Sequence, residues 1–214
     1  KGPEIRTATL MEPITLKKGD RIDLSMEASH FSTDAAGLNV LGVNYPSLIE
    51  DLEKDNEVLV DNGLLKFKVL GKTDSRIQCE VLIGGALTSR RHINLPDVKV
   101  KLPAITQKDK GDIQVGVELG VDQFALSFVR AASDIDILRD YLVKVGSAAR
   151  IVAKIEDQSA INNLDEIIQA VDDIMIARGD LGIECPYEEL PIIQRRTIKQ
   201  CLKSGKRVIV ATHM

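Results

Sequence analysis

The sequence predicts an α/β protein in which a helix-covered parallel sheet is joined to a smaller antiparallel β domain. Two rhythms carry that reading. From about residue 101 onward, short apolar runs alternate with stretches of 3.6-residue period, as strands alternating with helices do. Residues 7–98 show short strand-like pieces and turn signals instead. Length and composition agree: 214 residues, 44% hydrophobic and 28% charged, suffice for one ordinary domain or two small ones with their own cores.

In the second half the strand candidates are Val121–Phe128, Arg150–Ile155, Asp173–Ala177 and Arg207–Thr212. Runs such as Ile151-Val152-Ala153 and Ile174-Met175-Ile176 are continuously apolar, as parallel strands under helices are. Ser133 is placed to cap a helix with Ile135, Leu138, Leu142 and Val145 on one face and Gly146 closing it. Ser159 opens a second along Ile161, Leu164, Ile168 and Val171, and a third runs from about Glu188 to Gly205. In the first half, β pieces fall at Arg21–Met26, Glu57–Val60, Leu64–Leu70 and Arg76–Ile83. Asp61-Asn62-Gly63 supplies the positive φ angles of a tight hairpin between two of them. Asn94-Leu95-Pro96 and Leu102-Pro103 mark the passage between the halves. Four strand candidates, where a closed (β/α) barrel requires eight, make the chain an expected piece of a longer protein.

Composition removes several function classes. The 28 Lys and Arg against 32 Asp and Glu are spread evenly, so neither half is a basic nucleic-acid arm. No apolar run approaches the roughly 18 residues of a membrane-spanning helix. Cys79, Cys185 and Cys201 are odd in number and far apart, offering neither a disulfide framework nor a zinc knuckle, and the cytosol is the default compartment. With no Trp and 3% aromatics, stacking platforms for single-stranded nucleic acid are scarce.

The chemistry-bearing residues gather at strand ends. On a strand, residues i and i+2 share a side, so Lys154 and Glu156 face one way at the carboxyl end of theirs. One βα unit later, Arg178-Gly179-Asp180 ends the next strand. Adjacent parallel strands then bring Glu156 and Asp180 within reach of one cation, at the face where α/β barrels place active sites. Two carboxylates plus water and substrate oxygens are the usual way to hold Mg²⁺, and Lys154 beside them is a fixed positive charge for a developing anion. A structural ion pair is the plain alternative for Lys154 and Glu156. Gly179 and Gly182 let backbone N–H groups approach an anion, with a short helical turn expected after Asp180; simple turn-making is their alternative. Thr212 ends the last strand on the same face, where β-branched filler is the competing reading. His30, His92 and His213 share no ligand spacing. Gly71-Lys72-Thr73 resembles the tail of a phosphate-binding loop, but Lys66 stands where that motif needs Gly, and the reading is rejected. Arg90-Arg91-His92 and Lys108-Asp109-Lys110 are charge clusters whose default is a solvated surface.

Taken together these motifs resemble the pyruvate kinase family. The match is carried by Lys1-Gly2-Pro3-Glu4-Ile5-Arg6, Val60-Asp61-Asn62-Gly63-Leu64, Asn94-Leu95-Pro96, Ser127-Phe128-Val129-Arg130 and Ala153-Lys154-Ile155-Glu156. It continues through Ile176-Ala177-Arg178-Gly179-Asp180-Leu181-Gly182-Ile183-Glu184 and Val210-Ala211-Thr212-His213-Met214. The resemblance implies a partial TIM (β/α)8 barrel with an inserted small antiparallel β-barrel lid that closes over the active site. Residues 1–6 would follow barrel strand three, residues 7–98 form the lid, and residues 99–214 carry strands four to seven. The implied reaction is transfer of the phosphoryl group of phosphoenolpyruvate to ADP, giving pyruvate and ATP in glycolysis, in a homotetramer. By similarity, Glu156 and Asp180 bind Mg²⁺ or Mn²⁺, and Lys154 stabilises the phosphoryl group in flight and the enolate left behind. Gly179, Asp180 and Thr212 would hold the carboxyl end of the substrate, with Thr212, through water, as a proton path. Arg6, Arg91 and Asp61 match nucleotide-binding positions. The implied K⁺ has its ligands outside this chain. The family's pattern has Asn where Asp157 stands, often Gln at His213, and more typically Lys at Arg91, which keeps the charge but not the shape.

Two other readings stay open. A metal-dependent aldolase or lyase of the pyruvate-binding barrels accounts for Glu156, Asp180 and Arg178 but not for the β insertion or Lys154. A catalytically silent paralogue serving as a binding module is the other; the presence of both metal carboxylates weighs against it. By itself a chain of this span is expected to be inactive, since its sheet has unclosed edges.

Overall fold

The computed structural model describes residues 4–35 and 37–212. The Lys1-Gly2-Pro3 part of the opening motif, and His213 and Met214, lie outside the described residues. The fold is mixed α/β, in two compact units, Glu4–Lys101 and the chain from Leu102 onward.

The first unit comprises β1 (Ile14–Leu16), β2 (Arg21–Ser25), β3 (Ser32–Thr33), β4 (Asn39–Gly42), α1 (Leu48–Asp51), β5 (Glu57–Val60), β6 (Leu65–Lys72), β7 (Ile77–Ile83), β8 (Gly85–Leu87) and β9 (Ile93–Asn94). Seven strands form one sheet in the order β3-β4-β2-β7-β6-β5-β9, and β1 pairs β8 separately. The Asp61-Asn62-Gly63 turn joins the antiparallel β5 and β6 with φ of 54°, 57° and 81°, so the hairpin forms where three left-handed residues were expected. The sheet is not purely antiparallel: β2 pairs β4 in parallel. After β2 the chain turns out through β3, which pairs antiparallel with β4, and so β4 re-enters beside β2 running the same way. Strict alternation in β6 buries Leu65, Phe67 and Val69, which join Ile22, Leu24, Ile77 and Val81 in the core. Lys72, from the rejected phosphate-loop motif, spends its ammonium on Ile49 O and Leu52 O at 3.0 Å each and on Glu53 Oε1 at 2.7 Å. It closes the carboxyl end of α1.

The second unit comprises α2 (Gln107–Glu118), β10 (Gln123–Leu126), α3 (Ala132–Lys144), β11 (Arg150–Ile155), α4 (Gln158–Asn162), α5 (Leu164–Ala170), β12 (Asp173–Ala177), α6 (Arg178–Glu184), α7 (Leu190–Lys203) and β13 (Arg207–Ala211). The four strands are parallel and in sequence order. On one face Leu126, Ile151, Ala153, Ile155, Ile174 and Ile176 are buried against helix residues such as Ile135, Leu138, Leu142, Leu164, Ile168 and Leu190. Burying a large aliphatic side chain contributes about 1.5–3 kcal/mol, so this one-sided layer is the main source of the unit's stability. On the other face the strands carry Arg150, Asp173 and Arg207 at their amino ends and Lys154 near a carboxyl end.

Three helix starts differ from the sequence reading. Ser133 is not the cap of α3; Asp134 turns back to accept from Arg130 N at 2.8 Å and Ala131 N at 3.3 Å, starting the helix two residues earlier. Asp157, not Ser159, caps α4, accepting from Ala160 N at 2.8 Å, and the expected single helix breaks at Asn163 into α4 and α5. The helical turn expected after Asp180 begins at Arg178, taking Gly179 and Asp180 into its first turn. Helix α2 was not expected at all. Lys108-Asp109-Lys110 lies in its first turn: Lys108 is solvated as expected, whereas Asp109 is 6% exposed and completes a reciprocal cap with Thr106.

Candidate active site

Strand β10 ends at Leu126, two residues short of the expected Phe128, because Phe128 turns into the left-handed region at φ 53°. That turn faces the carboxyl end of β11. Phe128 N donates to Glu156 Oε2 at 2.6 Å, while Lys154 Nζ approaches Glu156 Oε1 at 2.5 Å and donates to Ser127 Oγ at 3.1 Å. The i, i+2 spacing thus does bring Lys154 and Glu156 together. The Glu156 side chain is 1% exposed and that of Lys154 24%. Burial pushes the Glu156 carboxyl above its usual range and the negative charge of Asp180 adds to this, against the pull of Lys154 and the Phe128 N–H. Asp180, in the first turn of α6, is therefore electrostatically adjacent to Glu156. Asp157 is likewise pushed up by burial, opposed by the Ala160 N–H it caps and by the charge of Arg130.

One strand further along, Thr212 leaves β13 with φ 70°, an unusual angle for a β-branched residue. The Arg178 guanidinium holds that end of the chain through Thr212 O, and through Ala211 O at 3.4 Å. A Cβ at position 179 would stand 3.1 Å from Thr212 Cγ2, a tight contact that Thr212 would have to yield to by a few tenths of an ångström. Lys154 with Glu156 and Asp180, and Gly179 with Thr212, thus form two small groupings at consecutive strand ends.

The remaining candidates belong to the first unit. Arg6 donates from Nε to Glu4 Oε2 at 2.8 Å and from Nη1 to Arg90 O at 2.7 Å, and its backbone N–H reaches Asn44 Oδ1 at 2.6 Å. Arg91 bonds Thr88 Oγ1 through Nε and lies 3.5 Å from Asp61 Oδ1. Thr7 N to Arg91 O at 2.8 Å and Asp61 N to His92 O at 2.9 Å draw Arg6, Arg91 and Asp61 into one neighbourhood. Sequence reasoning did not assign Ser127 or Phe128 to the site, although both stand at a strand end; a left-handed Phe has no marker in the sequence.

A divalent cation fits the donor chemistry of Glu156 and Asp180. Two carboxylates, one buried with its proton affinity raised by the other's charge, supply hard oxygen ligands and a negative charge that a cation relieves. Among the described residues, no three His, Cys, Asp or Glu side chains converge as a fuller metal cage, which suits an ion completed by water and substrate oxygens. Nor, among them, is any helix long and apolar enough to cross a membrane.

Comparisons with known proteins agree on one family. The family model for the pyruvate kinase barrel domain matches residues 1–214. The chain is 44% identical over 214 residues to plastidial pyruvate kinase 2 of Arabidopsis thaliana, covering 100% of this chain and 36% of that protein. It is 43% identical over 218 residues to a pyruvate kinase of Geobacillus stearothermophilus, again covering 100% of this chain and 36% of the relative. Among solved structures it resembles a pyruvate kinase from Cryptosporidium parvum with a TM-score of 0.92 at 34% identity, over 99% of this chain and 44% of the other. It therefore spans little more than a third of the length of these curated relatives. Motifs, strand-end geometry and whole-chain similarity converge, and the chain belongs to the pyruvate kinase family.

Proposed function

We propose that the protein to which this chain belongs transfers the phosphoryl group of phosphoenolpyruvate to ADP, forming pyruvate and ATP in glycolysis. The observation that carries this is the buried Glu156, held at 2.5 Å by Lys154 and electrostatically adjacent to Asp180 at neighbouring strand ends. An aldolase-type site accounts for the two carboxylates but gives Lys154 no task, and family membership favours the kinase. On this reading residues 7–98 are the inserted lid, residues 99–214 supply strands four to seven of a TIM barrel, and residues 1–6 follow strand three. The parent protein is a homotetramer that also uses K⁺, held outside this chain. The cytosol is its default compartment, with the plastid a second for a chain this close to a plastidial relative.

Glu156 and Asp180 would hold Mg²⁺ or Mn²⁺. When bound, such an ion neutralises charge on the phosphoryl and enolate oxygens. Lys154 sets a fixed positive charge beside it, aimed at the phosphoryl group in transit and at the enolate oxygen that its departure creates. Gly179, Asp180 and Thr212 receive the carboxylate end of the substrate; the missing side chain at Gly179 keeps that place open beside Thr212. Thr212 passes a proton through water to the enolate carbon, and that protonation makes the transfer strongly downhill. Arg6, Arg91 and Asp61 bind the nucleotide, the arginines at its phosphates and Asp61 near its metal.

Assaying the full-length protein with phosphoenolpyruvate, Mg²⁺ and K⁺, with and without ADP, tests the reading. Pyruvate released only when ADP is present, with matching ATP, is the expected result. Release without ADP points to a lyase, and no turnover by folded full-length protein points to a silent paralogue.

A further inference from the structure

We propose that Ser127 is a positioning residue for Lys154, keeping the ammonium aimed when Glu156 turns to a cation. The inference rests on the phosphoryl-transfer reading and deepens it. Among the described residues, Lys154 Nζ has two partners, Glu156 Oε1 at 2.5 Å and Ser127 Oγ at 3.1 Å. Glu156 is committed on both oxygens, since its Oε2 accepts from Phe128 N at 2.6 Å. Ser127 and Phe128 are consecutive, and the left-handed φ of 53° at Phe128 lets one turn present a hydroxyl to the amine and a backbone N–H to the carboxylate. The turn therefore holds both members of the ion pair from the neighbouring strand.

Charge separates the two partners of the amine. A carboxylate shared with a divalent ion is a weakened partner for Lys154, and a lysine held by it alone loses its orientation once that ion is bound. A hydroxyl is neutral and accepts from the ammonium whether or not a cation is present, without cancelling its charge. Of the three ammonium N–H donors, one serves Glu156 and one Ser127, leaving a third for an anionic oxygen of the substrate. The Lys154 side chain as a whole is 24% exposed, against 1% for Glu156.

A double-mutant cycle in the full-length protein tests this, with Ser127→Ala, Lys154→Met, the double variant and Ser127→Thr measured for kcat, KM and Mn²⁺ affinity. Ser127→Ala is expected to lower kcat by about 10- to 100-fold through misplacement of the lysine, with Mn²⁺ affinity within about threefold of the parent. Ser127→Thr, which keeps the hydroxyl, should restore most of the rate. In the Lys154→Met background Ser127→Ala should cost nothing further. The inference is overturned if Ser127→Ala keeps near-normal kcat, if its loss is undiminished in that background, or if the rate falls only because Mn²⁺ no longer binds. Near-normal kcat in Lys154→Met would instead sink the parent reading, and the inference with it, and is seen in a different variant.

Discussion

Lys154 and Glu156 are separated in role by what each loses on substitution. On the proposed reading, Lys154→Met keeps most of the stem length and removes the charge, so Glu156 and Asp180 would still hold the metal while the transition state would lose its nearest fixed cation. Removing one preorganised stabiliser costs about 10²–10³ in rate, and kcat should fall at least that far with modest change in phosphoenolpyruvate KM. Glu156→Gln should weaken metal binding itself and be partly rescued by excess Mn²⁺. Steady-state rates with Mn²⁺ titrations check both; a Lys154→Met protein inactive only because Mn²⁺ no longer binds would restore the structural ion pair as the better account. These residues were legible in the sequence because strand alternation and strand-end position follow from the apolar pattern alone. Their supporting turn was not. Ser127 and Phe128 act through a backbone angle that neither residue type announces, and the left-handed Thr212 is equally silent.

Elements were legible to the extent that apolar period, not local capping, defines them. Strands β11 and β12 stand where the apolar runs put them, whereas β10 and β13 stop short of Phe128 and Thr212, a left-handed residue in each case, and β10 also starts two residues late, at Gln123. Helix α2 leaves little mark on the apolar period because, among its residues, only Asp109 and Ile113 are buried, leaving almost no apolar stripe. What starts it is the cap. Thr106 Oγ1 accepts from Asp109 N at 3.1 Å, and Asp109 Oδ2 accepts from Thr106 N at 2.8 Å. Asp109 is held below its ordinary range: its burial alone would raise it, but the Thr106 hydroxyl and N–H outweigh that. With so little burial, α2 depends on this box more than its neighbours depend on theirs. Thr106→Ala should cost about 1 kcal/mol, read as a lower urea midpoint at unchanged slope, whereas Ser133→Ala at the mistaken cap of α3 should cost much less. Equal losses at the two positions would show that the box is not what initiates α2.

For the whole molecule, charge is arranged oppositely at the two ends of the parallel sheet, and the pH dependence of stability follows from that. At the carboxyl ends, burial raises Glu156 and Asp157, so their ionisation above the ordinary carboxylate range works against folding. At the amino ends, Asp173 receives two arginines, Arg207 Nε and Nη2 at 2.8 Å each and Arg150 Nε at 3.1 Å with Nη2 at 3.0 Å. Those guanidinium hydrogen bonds, Arg207 foremost, bring its carboxyl down from 3.8 to about 2. A lowered folded-state value means stability that is fully present above the unfolded value and is lost as pH falls through the folded one. At about 1.4 kcal/mol for each factor of ten, this carboxylate contributes about 2 kcal/mol at neutral pH, and loses it between about pH 4 and pH 2. The Asp173 side chain is 3% exposed while its arginines are 47% and 64% exposed, so Asp173→Asn leaves cations that water can take up rather than buried unpaired charges. Asp173→Asn should therefore lower stability by about 2 kcal/mol at pH 7, with the difference from the parent shrinking as pH falls below about 4 and closing near pH 2. Urea denaturation of both proteins across that range reads it directly. A difference that stays constant with pH would mean that packing and hydrogen-bond geometry at the sheet's amino end, not the carboxylate's charge, hold the strands there.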